Sequence, residues 1–216
     1  MRPFSHIIAD MSYEIFLALV GFAFVSSVTP GPNNMMLLAS GANFGFLRTV
    51  PHMFGIGIGF AFMIVMVGVG LMQVFDAFPI TDTILKIVSV IYLVWLSWKI
   101  ATAAPTLPDA PDTGGTPMTF LQAAAFQWVN PKAWSMGVYA ITNFAANDAG
   151  TRTFWLVCVV ALVFCIVNFP SVTVWAVLGQ QMRRFLTSPA RLRAFNVTMA
   201  VLLVLTVIPV LLASGA

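Results

Sequence analysis

The chain has 216 residues, 60% of them hydrophobic and only 8% charged, and its mean hydropathy is +0.94. Ten Lys+Arg and seven Asp+Glu are too few to cover a soluble domain of this length, and the long uncharged runs between them are a bilayer signal. The pI near 9.2 does not point to nucleic acid, because the basic residues form no continuous patch interleaved with aromatics; charge bias among membrane loops accounts for them.

The start, MRPFSHIIADMSYE, lacks the strongly basic opening and small-x-small cleavage site of a secretory signal. The expectation is a short extension over residues 1–12, with Met11 as an alternative start, leading into a retained first span from Ile15. That span is interrupted at Thr29-Pro30-Gly31-Pro32-Asn33-Asn34. The second, Pro51–Met72, has no charge and is long enough to cross a bilayer. A third runs over Ile84–Ala101, with Lys86 and Lys99 near its ends able to snorkel outward. A linker rich in proline, threonine and glycine follows at 104–117, APTLPDAPDTGGTP, extended in character. The fourth span opens at Phe120–Val129 and is broken by Asn130-Pro131-Lys132; the fifth, Phe154–Leu178, and the sixth, Phe195–Ala213, are uncharged.

This reading is all-α: one transmembrane domain over 1–216, an integral membrane bundle of six helices without a soluble domain. The linker divides it into halves of about 13–103 and 118–213. Each half has three spans, so the second enters from the opposite face. The result is an inverted 3+3 repeat whose first and fourth helices are broken, an arrangement that marks transport sites. Arg48, Lys99, Arg183, Arg184, Arg191 and Arg193 fall on one side, against Arg2, Lys86 and Arg152 on the other with Asp10, Glu14, Asp76, Asp82 and Asp148. Six against three predicts that the 183–193 loop is cytoplasmic and both termini are periplasmic. Gly41–Gly45 and Gly55–Gly59 are GxxxG pairs suited to close helix packing, within the bundle in preference to a dimer interface. A homo-oligomer stays open.

The two breaks carry the chemistry. Pro30 and Pro32 have no amide hydrogen, so the Ser26 and Val28 carbonyls lose their helical partners. In hydrocarbon such backbone is tolerated only against protein or a wet cavity. A half-helix restarting near Asn33 aims free N–H groups at that cavity and suits an anion; the plain alternative is a proline kink. Lys132 is the only charge placed deep in a span. Burying it costs at least about 2.5–3.5 kcal/mol, so it faces a cavity or snorkels from an interface. The candidate site is therefore Pro30, Gly31, Pro32, Asn33, Asn34, Asn130, Pro131 and Lys132. A solute carboxylate would meet Lys132 and the half-helix N-termini, and its ammonium would meet freed carbonyls and asparagines. A positive site favours neutral zwitterions or anions over dibasic solutes. Asn168, beside Pro170, is a weaker third candidate, as readily structural as functional.

An enzyme has little to stand on. His6 and His52 lie near span ends, and no GxSxG, HExxH or paired intramembrane acids occur. Cys158 and Cys165, seven residues apart on one helix face, suit ordinary packing; a thiol-redox carrier would rest on them alone. No metal or cofactor is expected. The partners are a small-molecule substrate and the lipid bilayer.

TPGPN at Thr29–Asn33 with MMLLASG after it, and NPKA at Asn130–Ala133, resemble the lysine exporter superfamily (LysE/RhtB) of bacterial inner-membrane amino-acid exporters. The contexts FQWVNPKAW and ANFGFLRTVPHMFGIGIGF are most similar to its branch exporting cysteine and O-acetylserine. The resemblance spans nearly the whole chain and implies proton-driven secondary transport. Many relatives have an acid in the second span where this chain has Gly59-Phe60-Ala61, so coupling here runs otherwise or the solute is neutral. A branch associated with cadmium makes a heavy-metal or other small-ion exporter the alternative.

Overall fold

A computed structural model describes residues 11–71, 73, 77–78, 80–103, 116–145 and 154–208. Most of the expected linker, residues 1–10 of the expected 1–12 extension and the end of the sixth span lie outside these residues. Among the described residues the regular structure is helical. It comprises α1 (Tyr13–Val28), α2 (Pro32–Phe44), α3 (Phe46–Met66, prolonged by a wide π turn over Val67–Leu71), α4 (Ile80–Ala101), α5 (Phe120–Phe126, with a 3-10 turn Gln127–Val129), α6 (Pro131–Phe144), α7 (Phe154–Met182) and α8 (Pro189–Leu205).

Among the described residues three stretches are long and apolar enough to cross a membrane: Phe46–Leu71, Thr83–Ala101 and Phe154–Phe185. The α1–α2 pair, bent by 53° at the TPG break, makes a fourth if taken as one span. Several expected boundaries move. The second span starts at Phe46 and not Pro51, because the turn at Gly45 begins the helix there and Pro51 lies inside it. The last helix starts at Pro189 and not Phe195, where Ser188 caps it by accepting the Arg191 N–H and proline takes the first position.

The bundle is apolar outside and holds a set of polar residues within an otherwise apolar interior. Asn34, Thr49, His52, Gln127, Asn130, Asn168 and Asn196 are buried, while Phe24, Phe62, Ile91, Ile166 and Val201 face outward. That distribution suits hydrocarbon, where side-chain polarity is costly outside and apolar surface is not. With no hydrophobic drive between helices, close packing takes over. A methyl at Gly41 would overlap the Ala176 carbonyl of α7, and one at Gly179 would overlap the Leu38 carbonyl of α2. Gly55 and Gly59 let α3 approach the Phe120 and Ala124 backbone of α5 in the same way. Both GxxxG pairs therefore serve contacts inside the bundle. Gly45, at φ 82°, turns α2 into α3 with its N–H on Gly41 O at 3.0 Å.

The ends of the bundle are distinct. Arg183 Nη1 lies beside Gly45, and Leu186 and Leu192 pack with Ala42, so the α2–α3 turn shares one end with the α7–α8 connection. Met11 packs with Phe144, Ala145 and Leu156 at the other.

Gly41→Ala should destabilise the protein by about 1–3 kcal/mol through overpacking. Gly21→Ala, on α1 with nothing within 4 Å of the added carbon, should be neutral or stabilising by up to about 1 kcal/mol. Thermal unfolding of both variants in one detergent checks this; equal behaviour would mean that the α2–α7 approach is looser than described.

Candidate functional site

The break between α1 and α2 leaves the carbonyls that its prolines free, and each finds a side-chain donor. Thr29 Oγ1 donates to Ser26 O at 3.0 Å, and the Trp175 indole of α7 donates to Val28 O at 3.1 Å. Asn34 Nδ2 bridges Ser27 O (2.9 Å) and Thr29 O (2.7 Å) across the gap. Thr29 and Gly31, each preceding a proline, are extended, as proline's clash with the preceding residue favours.

The second break is built by the same means. Asn130 is extended and caps α6 by accepting the Lys132 N–H at 3.2 Å, Pro131 takes the first helical position, and the Trp134 indole donates to Trp128 O at 2.8 Å. Pro51 and Pro170 lie inside continuous helices, where Val50 and Phe169 precede them and offer no capping oxygen.

The two breaks face each other. Asn33 and Gln127 exchange a reciprocal amide pair: Asn33 Nδ2 donates to Gln127 Oε1 at 2.9 Å and Gln127 Nε2 to Asn33 Oδ1 at 3.1 Å. Lys132 crosses from α6 and donates to Thr29 O (2.7 Å), Thr29 Oγ1 (2.9 Å) and Pro30 O (3.4 Å). Its chain runs over Gly31, where an added Cβ would stand 2.6 Å from Lys132 Cδ. Lys132 is thus half-buried, with its ammonium already engaged by the opposite break; the acceptors that replace an acid are backbone and hydroxyl oxygens.

All eight expected residues come together, in two roles. Gly31, Asn33, Asn34, Asn130 and Lys132 line a cavity of about 20 Å³, while Pro30, Pro32 and Pro131 shape the backbone around it. Ser26, Ser27, Gln127 and Asn168 complete the polar wall, with Phe60, Ala133, Met136 and Val172 as the apolar one. Asn168 donates to Ser27 Oγ at 3.2 Å, and its buried Oδ1 has no partner. Gln127, fully buried, is the residue that sequence reasoning passed over; a glutamine inside an apolar run, three residues before Asn130, was its signal. A second correction concerns His52, which is 1% exposed and lies well inside α3, because the helix starts before Pro51.

The central cavity has room for about one water, for which some 10–15 Å³ suffices. It is a narrow hydrogen-bonded seam joining two interrupted helices within an apolar-surfaced bundle. That architecture defines a membrane transporter. The chain belongs to the LysE type translocator family, whose model matches residues 23–214. It is 30% identical to the cysteine/O-acetylserine efflux proteins of Escherichia coli (strain K12) and Shigella sonnei (strain Ss046), over 90% of this chain and 96% of each relative. The same-named protein of Shigella flexneri serotype 5b (strain 8401) is 31% identical over 85% of this chain and 90% of its own length. No solved structure gives a significant match. Membership makes this a membrane translocator and not an enzyme.

Asn33→Ala and Gln127→Ala should each cost about 1–3 kcal/mol by stranding a buried amide. The double variant should cost less than the sum, with a coupling of about 1 kcal/mol. A double-mutant cycle from chemical unfolding in detergent measures it, and strict additivity would show that the breaks do not hold each other.

Proposed function

We propose that this protein is a secondary transporter exporting a small neutral amino acid or derivative across the bacterial inner membrane, with the solute bound between the two breaks. The supporting observation is the meeting of Asn33 with Gln127 and of Lys132 with Thr29 and Pro30, which sets a cation, amides and half-helix starts around one point. The relatives' names agree with solutes of this class. The seam must part to admit a solute, and a carboxylate then takes Lys132 from the Thr29 oxygens while Asn168 Oδ1 accepts from the ammonium.

The proposed architecture is one domain with six spans in an inverted 3+3 arrangement. The first half is α1–α4 and the second α5–α8, each opening with an interrupted helix. The basic end holding Arg48, Lys99 and Arg183 is cytoplasmic, by charge bias, and both termini are periplasmic. The heavy-metal alternative gains no support: among the described residues no three His, Cys, Asp or Glu side chains stand together, and Cys158 and Cys165 are free and half-buried.

Lys132→Ala tests the reading. Without its ammonium Thr29 O keeps Asn34 and Thr29 Oγ1 still donates to Ser26 O, so only Pro30 O is left without a partner and membrane abundance should stay near parental. Export of preloaded O-acetyl-L-serine should fall roughly tenfold or more, as expected for losing a charge-assisted hydrogen bond of about 1.5–3 kcal/mol. Lys132→Arg, longer and planar, should restore only part. Parental export by Lys132→Ala at equal abundance would remove Lys132 from the site.

Two further outcomes follow from the charge arguments. Overexpression should raise tolerance to toxic analogues of neutral amino acids and leave arginine tolerance unchanged; equal protection against arginine would sink the argument. A reporter active only in the cytoplasm, fused after Ala216, should stay silent; activity there would reverse the orientation.

A further inference from the structure

A second, larger cavity of about 420 Å³ lies between α2, α3, α4 and residues 116–118, at the end of the bundle that carries Lys99. Its size falls in the roughly 300–1,000 Å³ range of small-molecule sites. His52 is on its wall, 1% exposed, and neither ring nitrogen has a hydrogen-bond partner. A buried imidazole with both nitrogens idle is an unmet cost in the empty protein; the nitrogens are covered here, so a bound solute meets them when the ring turns toward the cavity.

The remaining lining says what kind of solute. Ser40 and Thr49 hydroxyls pair at 2.8 Å, and Thr49 Oγ1 also donates to Gly45 O at 2.8 Å. Thr49 has one hydroxyl hydrogen, so Ser40 supplies the hydrogen of the shared bond and presents its lone pairs as an acceptor. Lys99 sits at the lip, its ammonium held 4.9 Å from the centre of the Trp95 ring. Met36, Leu96 and Met118 form an apolar wall. The cavity therefore pairs a cation with acceptors for N–H groups and an apolar surface, and no acid lines it. A metal ion would meet Lys99 and no anionic ligand; a small zwitterion finds a complement for each of its groups.

Placement connects this cavity to the central seam. Asn33 and Asn34 of the seam begin α2, and Met36, Ser40 and Asn43 of the cavity occupy its next turns. Six residues of helix place Ser40 about 9 Å beyond Asn34.

Resting on the export reading above, we infer that this cavity is a second binding site for the transported amino acid, in which His52 and Ser40 hold the ammonium and Lys99 the carboxylate. It serves as the loading station next to the seam.

Protection of an introduced thiol tests it. Ala39, 4% exposed, lines the cavity; the full-length chain would carry Ala39→Cys with Cys158→Ser and Cys165→Ser. O-acetyl-L-serine should slow N-ethylmaleimide labelling of the new thiol at least fivefold. Adding His52→Ala should abolish the protection, whereas adding Lys132→Ala should leave it. Efflux of the same solute is read in the same cells. A chain that exports O-acetyl-L-serine yet shows no protection overturns the second site alone. Protection lost with Lys132→Ala and kept with His52→Ala also overturns it, by tracing the effect to the seam. A chain that exports no neutral amino acid overturns the export reading itself. The protection arm uses intact His52, so the test survives misfolding of His52→Ala.

Discussion

A peptide group freed from its helix inside hydrocarbon must find another hydrogen-bond partner within the protein. The rest of this structure is arranged around that requirement. Each interrupted helix exposes carbonyls, and each is answered by a side chain: Thr29, Asn34, Trp175 and Lys132 at the first break, Trp134 at the second. Because Trp175 and Lys132 belong to α7 and α6, the local cost of breaking one helix becomes a set of links between helices. A break that would destabilise an isolated span is here the point at which the bundle is joined.

The same links explain how a cation is kept among apolar helices. Lys132 has no acid to pair with, but a carbonyl and a hydroxyl within 3 Å spread its charge over oxygens that already lack helical partners. These contacts are exchangeable. An anion arriving at the seam competes with neutral oxygens and not with a carboxylate, so Lys132 can change partners at modest cost. The narrow seam, with space for about one water, and the larger cavity farther along α2 thus differ: one is bridged by hydrogen bonds, the other has an unpaired histidine in its wall.

Rigidity outside the seam comes from packing. The approach of Gly41 and Gly179 brings α2 and α7 into backbone contact, and Gly55 and Gly59 do the same for α3 and α5. One half-helix at each break, α2 and α5, is thereby fixed to a long continuous helix. Motion of α2 or α5 is consequently tied to α7 or α3, whereas the Asn33–Gln127 pair crosses between the two assemblies.

Much of this was legible in the chain alone. Low charge and long apolar runs dictate a membrane bundle, because no other environment tolerates them. Proline chemistry locates both breaks and names Ser26 and Val28 as the carbonyls that lose partners; TPGPN and NPK identify the family. The sequence did not say why Pro30, Pro32 and Pro131 interrupt helices while Pro51 and Pro170 do not: Thr29 and Asn130 supply side-chain oxygens at their breaks, but Gly31 before Pro32 has none, and the Val28 carbonyl freed there depends on Trp175 from another helix. It left Lys132 without a partner, because its acceptors are about a hundred positions away and two belong to the backbone, which composition cannot display. Gln127 and His52 were visible only as polar residues in apolar surroundings. Tertiary packing alone decides that one is satisfied by Asn33 and the other by nothing, since hydrogen bonding depends on what the fold brings within 3 Å, and sequence distance carries no such information.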